Sequence, residues 1–305
     1  MNEITKKLLS VVADWAGSFK GAFSIREDGC GIERRSTENI SIEPKCDKPG
    51  LDIRVKPNTK GETVSIPACV THGDVDDLVY NDFYIGRDSD ILIVAGCGVH
   101  TETGEPARHN GIHRFFLEPG ARVKYIEKHI GTGKGAGIKS IDPVTEAHLD
   151  EGSLLEMDTS QIGGVDRSTR KTIVTVAAGA KLVIRERLLT EGEQTAETEF
   201  KVELNGDGAG ADVVSRSVAR DKSYQSYISE IIGNAPCTGH TECDAIIDED
   251  AVVDASPKLS ARCADAALIH EAAIGKIAGE QILKLRTLGL TEEEAESKII
   301  EGFLS

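Results

Sequence analysis

The sequence predicts an all-β core in the form of a parallel β-helix, preceded by one helix and closed by two short ones. Three observations carry this expectation. Gly is abundant at 31 residues while aromatic residues make up 4% of a 305-residue chain, a composition suited to many short strands and turns rather than one large globular core. From about residue 51 apolar and polar residues alternate with a period of two. A degenerate turn-and-strand unit recurs along the same stretch.

Taken in order, the chain begins with Ile4, Leu8, Val11, Val12, Trp15 and Phe19 at three- and four-residue steps. That spacing predicts an amphipathic helix with one apolar stripe. Residues 28 to 50 are polar, with Gly, Pro and charge, and read as a loop or short irregular strands. Leu51, Ile53 and Val55 then open the alternating body, which continues through segments such as VKYIEKHI and KLVIRERLL. No helix-length apolar pattern separates these strands, so a doubly wound α/β sheet is not expected.

The recurring unit appears as LEPGARVKYI at 117–126, LDEGSLLEMD at 149–158, VAAGAKLVIR at 176–185 and LNGDGAGADVV at 204–214. Aligned on Gly120, Gly152, Gly179 and Gly210, it repeats every 27 to 32 residues, and IDEDAVVDA at 247–255 reads as a fifth copy. An apolar residue, a Gly-bearing turn and an alternating strand make one corner and one edge of a coil. Stacked coils bury their inward side chains on one another, which is the logic of a solenoid. A β-sandwich with coincidental turn spacing is the competing architecture.

In the tail, Ile282, Leu285 and Leu288 fall at helical spacing and end at Gly289, a natural C-terminal cap. Thr291 and Glu294 then form a capping-box pair opening a second helix with Ala295, Ile299 and Phe303 on one face. The expected organisation is residues 1–50 as N-terminal helix and irregular segment, 51–277 as β-helix core, and 278–305 as a helical tail.

The formal net charge of −16 argues against a general nucleic-acid binder, which needs clustered Lys and Arg. The N-terminus lacks the apolar core of a signal peptide and no stretch approaches the length of a membrane span, so neither export nor membrane insertion is expected. Seven scattered cysteines, an odd number, do not suggest a disulfide framework. Cys237, Cys243 and Cys263, with His240 and His270 nearby, are the one set dense enough for metal chemistry.

The segment from Cys243 to Leu304, TECDAIIDEDAVVDASPKLSARCADAALIHEAAIGKI followed by AGEQILKLRTLGLTEEEAESKIIEGFL, resembles the C-terminal part of the SufB/SufD family of iron–sulfur cluster assembly scaffolds. GCGVHTETG, HNGIHRFFLEPGARVKYIEKHIGTG and SYISEIIGNAPCTGHTEC also resemble family rungs, more loosely. The chain is shorter than many members and is similar to compact archaeal and anaerobe forms. The resemblance implies a right-handed parallel β-helix and pairing of two chains, as a homodimer or with a paralogue. It also implies a cytoplasmic scaffold without catalysis of its own, whose C-terminal helices dock a SufC-type ABC ATPase. A transient iron–sulfur cluster, a cysteine desulfurase or other sulfur donor, and apo-protein acceptors belong to the same expectation.

Cluster ligation calls for soft thiolates, with His or carboxylate able to substitute where the cluster must leave. The resemblance implies Cys243 in TECD and Glu271 in HEA as ligands, with His270 at the position where SufD presents a His. The 28 residues between Cys243 and Glu271 are about one solenoid turn, placing them on adjacent rungs. His270 and Glu271 are consecutive, so only one of them is expected on the face of Cys243. Cys237 is a further candidate ligand, since CTGHTEC is dense enough to hold a metal while lacking paired zinc knuckles. For Cys263, burial as a small side chain is the simpler reading. The glycines flanking Cys97 suit either a close backbone approach or a tight turn.

Two glycine-rich stretches do not carry nucleotide chemistry. GTGKGAGIKS at 131–140 fails the G-x4-G-K-S template, and GDGAGAD at 206–212 misses G-x-G-x-x-G, so no nucleotide is expected on this chain itself. Two alternatives to the scaffold reading are a β-helix lyase or hydrolase acting through surface carboxylates and a family member that binds the ATPase without holding a cluster.

Overall fold

The computed structural model describes residues 1–304 and is a two-sided parallel β-solenoid; Ser305, the last residue of the expected tail, lies outside the described residues. The N-terminal part comprises α1 (Glu3–Val12), β1 (Ala22–Glu27), β2 (Cys30–Arg35), β3 (Ile40–Pro44), β4 (Gly50–Val55), β5 (Lys60–Ser65) and β6 (Ala68–Val70). The middle runs through β7 (Val75–Ile85), β8 (Asp90–His100), β9 (Ala107–Leu117), β10 (Arg122–Thr132), β11 (Lys139–Ile141), β12 (Val144–Leu149) and β13 (Leu154–Ile162). The last part holds β14 (Arg167–Val176), β15 (Lys181–Thr190), β16 (Thr195–Leu204), β17 (Ala209–Ala219), β18 (Tyr224–Gly233), β19 (Cys237–Ile247), β20 (Val252–Ala261), β21 (Ala266–Gly275), α2 (Gly279–Thr287) and α3 (Glu292–Phe303).

Successive long strands alternate between two sheets. One sheet runs β2-β1-β5-β8-β10-β13-β15-β17-β19-β21 and the other β20-β18-β16-β14-β11-β9-β7-β4-β3. Among the described residues every rung-to-rung pairing is parallel, and only the β1/β2 and β3/β4 hairpins are antiparallel. That pattern is incompatible with a β-sandwich, whose strands pair antiparallel.

The corners explain the repeat. Gly120, Gly152, Gly179 and Gly208 all have φ between 64° and 70°, the left-handed region that glycine enters without a Cβ penalty. The fourth corner is therefore Gly208, 29 positions after Gly179, and not Gly210. Gly210 is already in strand β17, opposite Lys181. IDEDAVVDA belongs to the opposite corner of the coil, between β19 and β20, where Glu249 takes the left-handed turn. Both families of corners share a similar turn chemistry, which is why the two look alike in sequence.

Helix α1 stops at Val12, because Asp14 adopts φ 48°. Trp15 and Phe19 reach the α1 cluster from the following loop, while Val11 faces outward. The glycines around Cys97 serve close approach rather than a turn. A Cβ at Gly96 would come within 2.3 Å of the Val12 carbonyl, and one at Gly98 would meet Leu8. Thus α1 lies directly on β8. At the other end Thr291 and Glu294 form the expected capping box of α3, and Gly289 follows α2 at φ 98°.

The interior is divided along its length. One part is an apolar stack that includes Phe83 on Phe115 at 4.5 Å between ring centres, with Tyr125 edge-on. The other is a line of buried polar groups. Tyr125 donates to Glu127 at 2.8 Å, Arg170 pairs with Glu127 at 2.6 Å and with Glu186 at 3.4 Å, and Ser215 donates to Glu186 at 2.7 Å. Burial opposes ionisation of Glu127, yet the Arg170 guanidinium and His129 outweigh it and hold that carboxyl well below the usual range.

Candidate functional site

The expected ligands lie on the last rungs. Strand β19 alternates strictly: Cys237, Gly239, Thr241, Cys243 and Ala245 point inward and are buried, while His240, Glu242 and Asp244 point outward. Strand β21 pairs with it in parallel, placing His270 opposite Thr241, Glu271 opposite Glu242 and Ala272 opposite Cys243. Cys243 and Glu271 are thus on adjacent rungs but opposite faces. His270 shares the inward register of Cys243.

The reason is one residue of register. Cys243 faces Ala272, 29 positions on, whereas Glu271 lies 28 on. Because side chains alternate with a period of two, that single step moves Glu271 to the outer face.

Cys243 is 3% exposed. Burial, reinforced by the Glu186 and Asp244 carboxylates, pushes its thiol up to about 12, so it is protonated in this conformation. Cys237 is also buried at the start of β19, with its thiol raised chiefly by burial. Cys263 is half-buried in the turn before β21. All seven cysteines are free thiols.

The outer face gathers a different set. Among the described residues, His240, Glu242 and Glu271 offer ligand atoms that all lie within 4.8 Å of one another, and no cysteine joins them. Asp212 on β17 bonds His240 Nδ1 at 2.8 Å and is itself held by Arg185. Burial and the neighbouring Asp244 carboxylate raise the Glu242 carboxyl. His240 and Glu242 form one end of a groove of about 420 Å³ that Arg185, Arg187, Asp212 and Arg216 continue. Arg216 extends from it towards α3, where Phe303 sits 5.9 Å from the guanidinium.

Sequence reasoning reached Glu271 and His240 but not Glu242 or Asp212. The available signal was H-x-E within β19: two outward positions on one strand, with Glu271 one full turn after Glu242.

Comparison with known proteins fits this architecture. The model of the SUF system FeS cluster assembly SufBD core domain matches residues 82–303. The chain belongs to the SufBD family. It is 30% identical over 265 residues to an iron–sulfur cluster assembly SufBD family protein of Methanothermobacter thermautotrophicus, covering 84% of this chain and 62% of that relative. A family protein of Archaeoglobus fulgidus is 28% identical, with 85% and 69% covered. One of Methanocaldococcus jannaschii is 27% identical over 294 residues, covering 93% and 90%. The match therefore spans less than two thirds of the Methanothermobacter relative and nearly all of the Methanocaldococcus one. Family membership ties the chain to the iron–sulfur cluster assembly machinery. No helix among the described residues is long and apolar enough to cross a membrane.

Proposed function

We propose that this SufBD protein is a cytoplasmic, non-catalytic scaffold on which an iron–sulfur cluster is assembled and from which it is transferred, with a SufC-type ABC ATPase supplying the energy. The observation that carries the reading is the family match over 82–303, which includes all of the last rungs and α2 and α3 through Phe303. The cluster is cargo, fed by a cysteine desulfurase or other sulfur donor and passed to apo-proteins.

Cys243 and His270 are the proposed inward-facing ligands, at the rung where the solenoid ends, and Glu271 the proposed outward one. Cys237 is a reserve thiol at the start of the same strand, on the same face. Cys243 has to leave its buried, protonated state to bind iron. Opening of the β21 rung by an external motor supplies that step, and the tail at 278–305 is the proposed docking point. The outer strand edges of β20 and β21 are unpaired among the described residues, which supports pairing with a second copy or a paralogue at this end.

Deletion of residues 279–305 tests the docking. Co-purification with the co-expressed ATPase should be lost while the far-ultraviolet circular dichroism of the β-helix is retained. Undiminished co-purification of a folded truncated chain would refute it.

A further inference from the structure

We propose that His240, Glu242 and Glu271 form a divalent transition-metal site of nitrogen and oxygen donors on the outer face of the solenoid, separate from the Cys243 thiol. Three features of the geometry carry it. The ligand atoms converge within 4.8 Å although they come from two strands. Glu242 and Glu271 are register partners on neighbouring strands, about 4.8 Å apart in the backbone, and His240 stands two residues before Glu242 on the same face. Both strands belong to one continuous sheet, so the spacing is fixed by the fold rather than by a loop.

The second feature is the support of the imidazole. His240 Nδ1 donates to Asp212 at 2.8 Å, and Arg185 anchors Asp212 from behind. With Nδ1 carrying the proton, Nε2 presents its lone pair. A carboxylate behind a ligating His fixes the tautomer and raises ligand basicity, and it is the usual outer partner of metal-bound imidazole.

The third feature is charge. Glu242, Asp244 and Glu271 stand on the outward face of two paired strands, where their like charges crowd one patch. Arg185 is committed to Asp212, leaving Arg216 as the neighbouring cation. A divalent ion relieves this repulsion directly. One imidazole with two carboxylates suits Fe²⁺, Mn²⁺, Co²⁺ or Zn²⁺ better than Ca²⁺ or Cu⁺, and the half-exposed setting leaves further positions open to water.

The identity of the resident ion as ferrous iron awaiting sulfide rests on the scaffold reading; the site itself does not. It places iron one residue of register from the thiol, on the other side of the same strand pair.

The test is an anaerobic titration of the full chain with Co²⁺, followed by visible absorption, and a parallel titration with Fe²⁺ read by competition with a ferrous chelator. Neither needs sulfide or the ATPase. The site predicts weak ligand-field bands without an intense thiolate-to-cobalt band. Glu242→Gln and Glu271→Gln should each weaken binding at least about tenfold, and Asp212→Asn about ten- to a hundredfold. Cys243→Ser should bind as the parent does.

Parent-like titrations of both Gln variants would overturn the site, as would a thiolate band abolished by Cys243→Ser. These near-isosteric surface changes spare the core, and circular dichroism verifies the fold. Retained cobalt and iron binding in a chain that never forms a cluster would sink the scaffold reading alone. Cluster formation undiminished in variants that have lost cobalt binding would sink the assignment of the resident ion as iron awaiting sulfide.

Discussion

Replacing Arg170 with Met probes the polar line inside the solenoid. Arg170 is 6% exposed and bridges Glu127, at 2.6 Å, and Glu186, at 3.4 Å, whose own exposures are 1% and 5%. A Met of similar length fills the space but leaves two carboxylates without their cation. Removing one partner of a buried ion pair costs about 3–5 kcal/mol, a large fraction of the ~5–15 kcal/mol that stabilises a typical domain. Urea unfolding followed by far-ultraviolet circular dichroism at pH 7 measures it. The variant's deficit relative to the parent should also shrink as pH is lowered towards 5. Without Arg170 the folded-state pKa of Glu127 rises above its unfolded value, so the folded form binds the extra proton and stability falls as pH rises through that window. The combined change Arg170→Met, Glu127→Gln, Glu186→Gln should recover most of the loss, because no charge is then left uncompensated. A single-variant cost under about 1 kcal/mol, with no dependence on pH, would refute the assignment of Arg170 as the counter-ion of this interior.

Two further outcomes follow from buried groups. Burial pushes the His113 imidazole down to about 4, so between its ordinary value near 6.5 and that point the unfolded chain takes a proton the folded chain refuses. Stability should fall by about 3 kcal/mol as pH drops through this window, and His113→Gln should flatten that slope in urea midpoints; an unchanged slope contradicts it. Cys243, with its thiol near 12, should be alkylated at pH 8 roughly a thousandfold more slowly than the exposed Cys30 and Cys46, as read by mass spectrometry of digests. Equal rates would mean that β19 opens freely without a partner.

The solenoid was legible because its signals are local. Glycine corners at 120, 152 and 179 and the period-two strands between them are set by backbone conformation and burial, and each repeats. The capping box at Thr291 and Glu294 is a four-residue pattern with one meaning. Errors arose where the same local pattern has two placements. Gly208 and Gly210 are glycines two residues apart in GDGAGAD, and only φ separates corner from strand. The two corner families share their chemistry, so 247–255 passed for the wrong one.

The site was half legible for the same reason. Which face a residue occupies depends on the exact turn length, and a 28-residue separation read as one turn conceals that this turn has 29. The interior charges were visible in principle. In VKYIEKHI, Glu127 shares the parity of Val123 and Tyr125, and in KLVIRERLL, Glu186 shares that of Leu182 and Ile184. Their partner Arg170 lies on the opposite sheet, a non-local pairing that no alternation pattern reveals.

Anaerobic reconstitution of the full chain with iron and sulfide tests the central claim most directly. The account predicts the visible absorption of a bound cluster in the parent protein together with its co-purified ATPase, and its loss in Cys243→Ala. An absorption spectrum unchanged by that substitution would contradict the placement of Cys243 as a cluster ligand, and failure of the parent to hold a cluster at all would contradict the scaffold function.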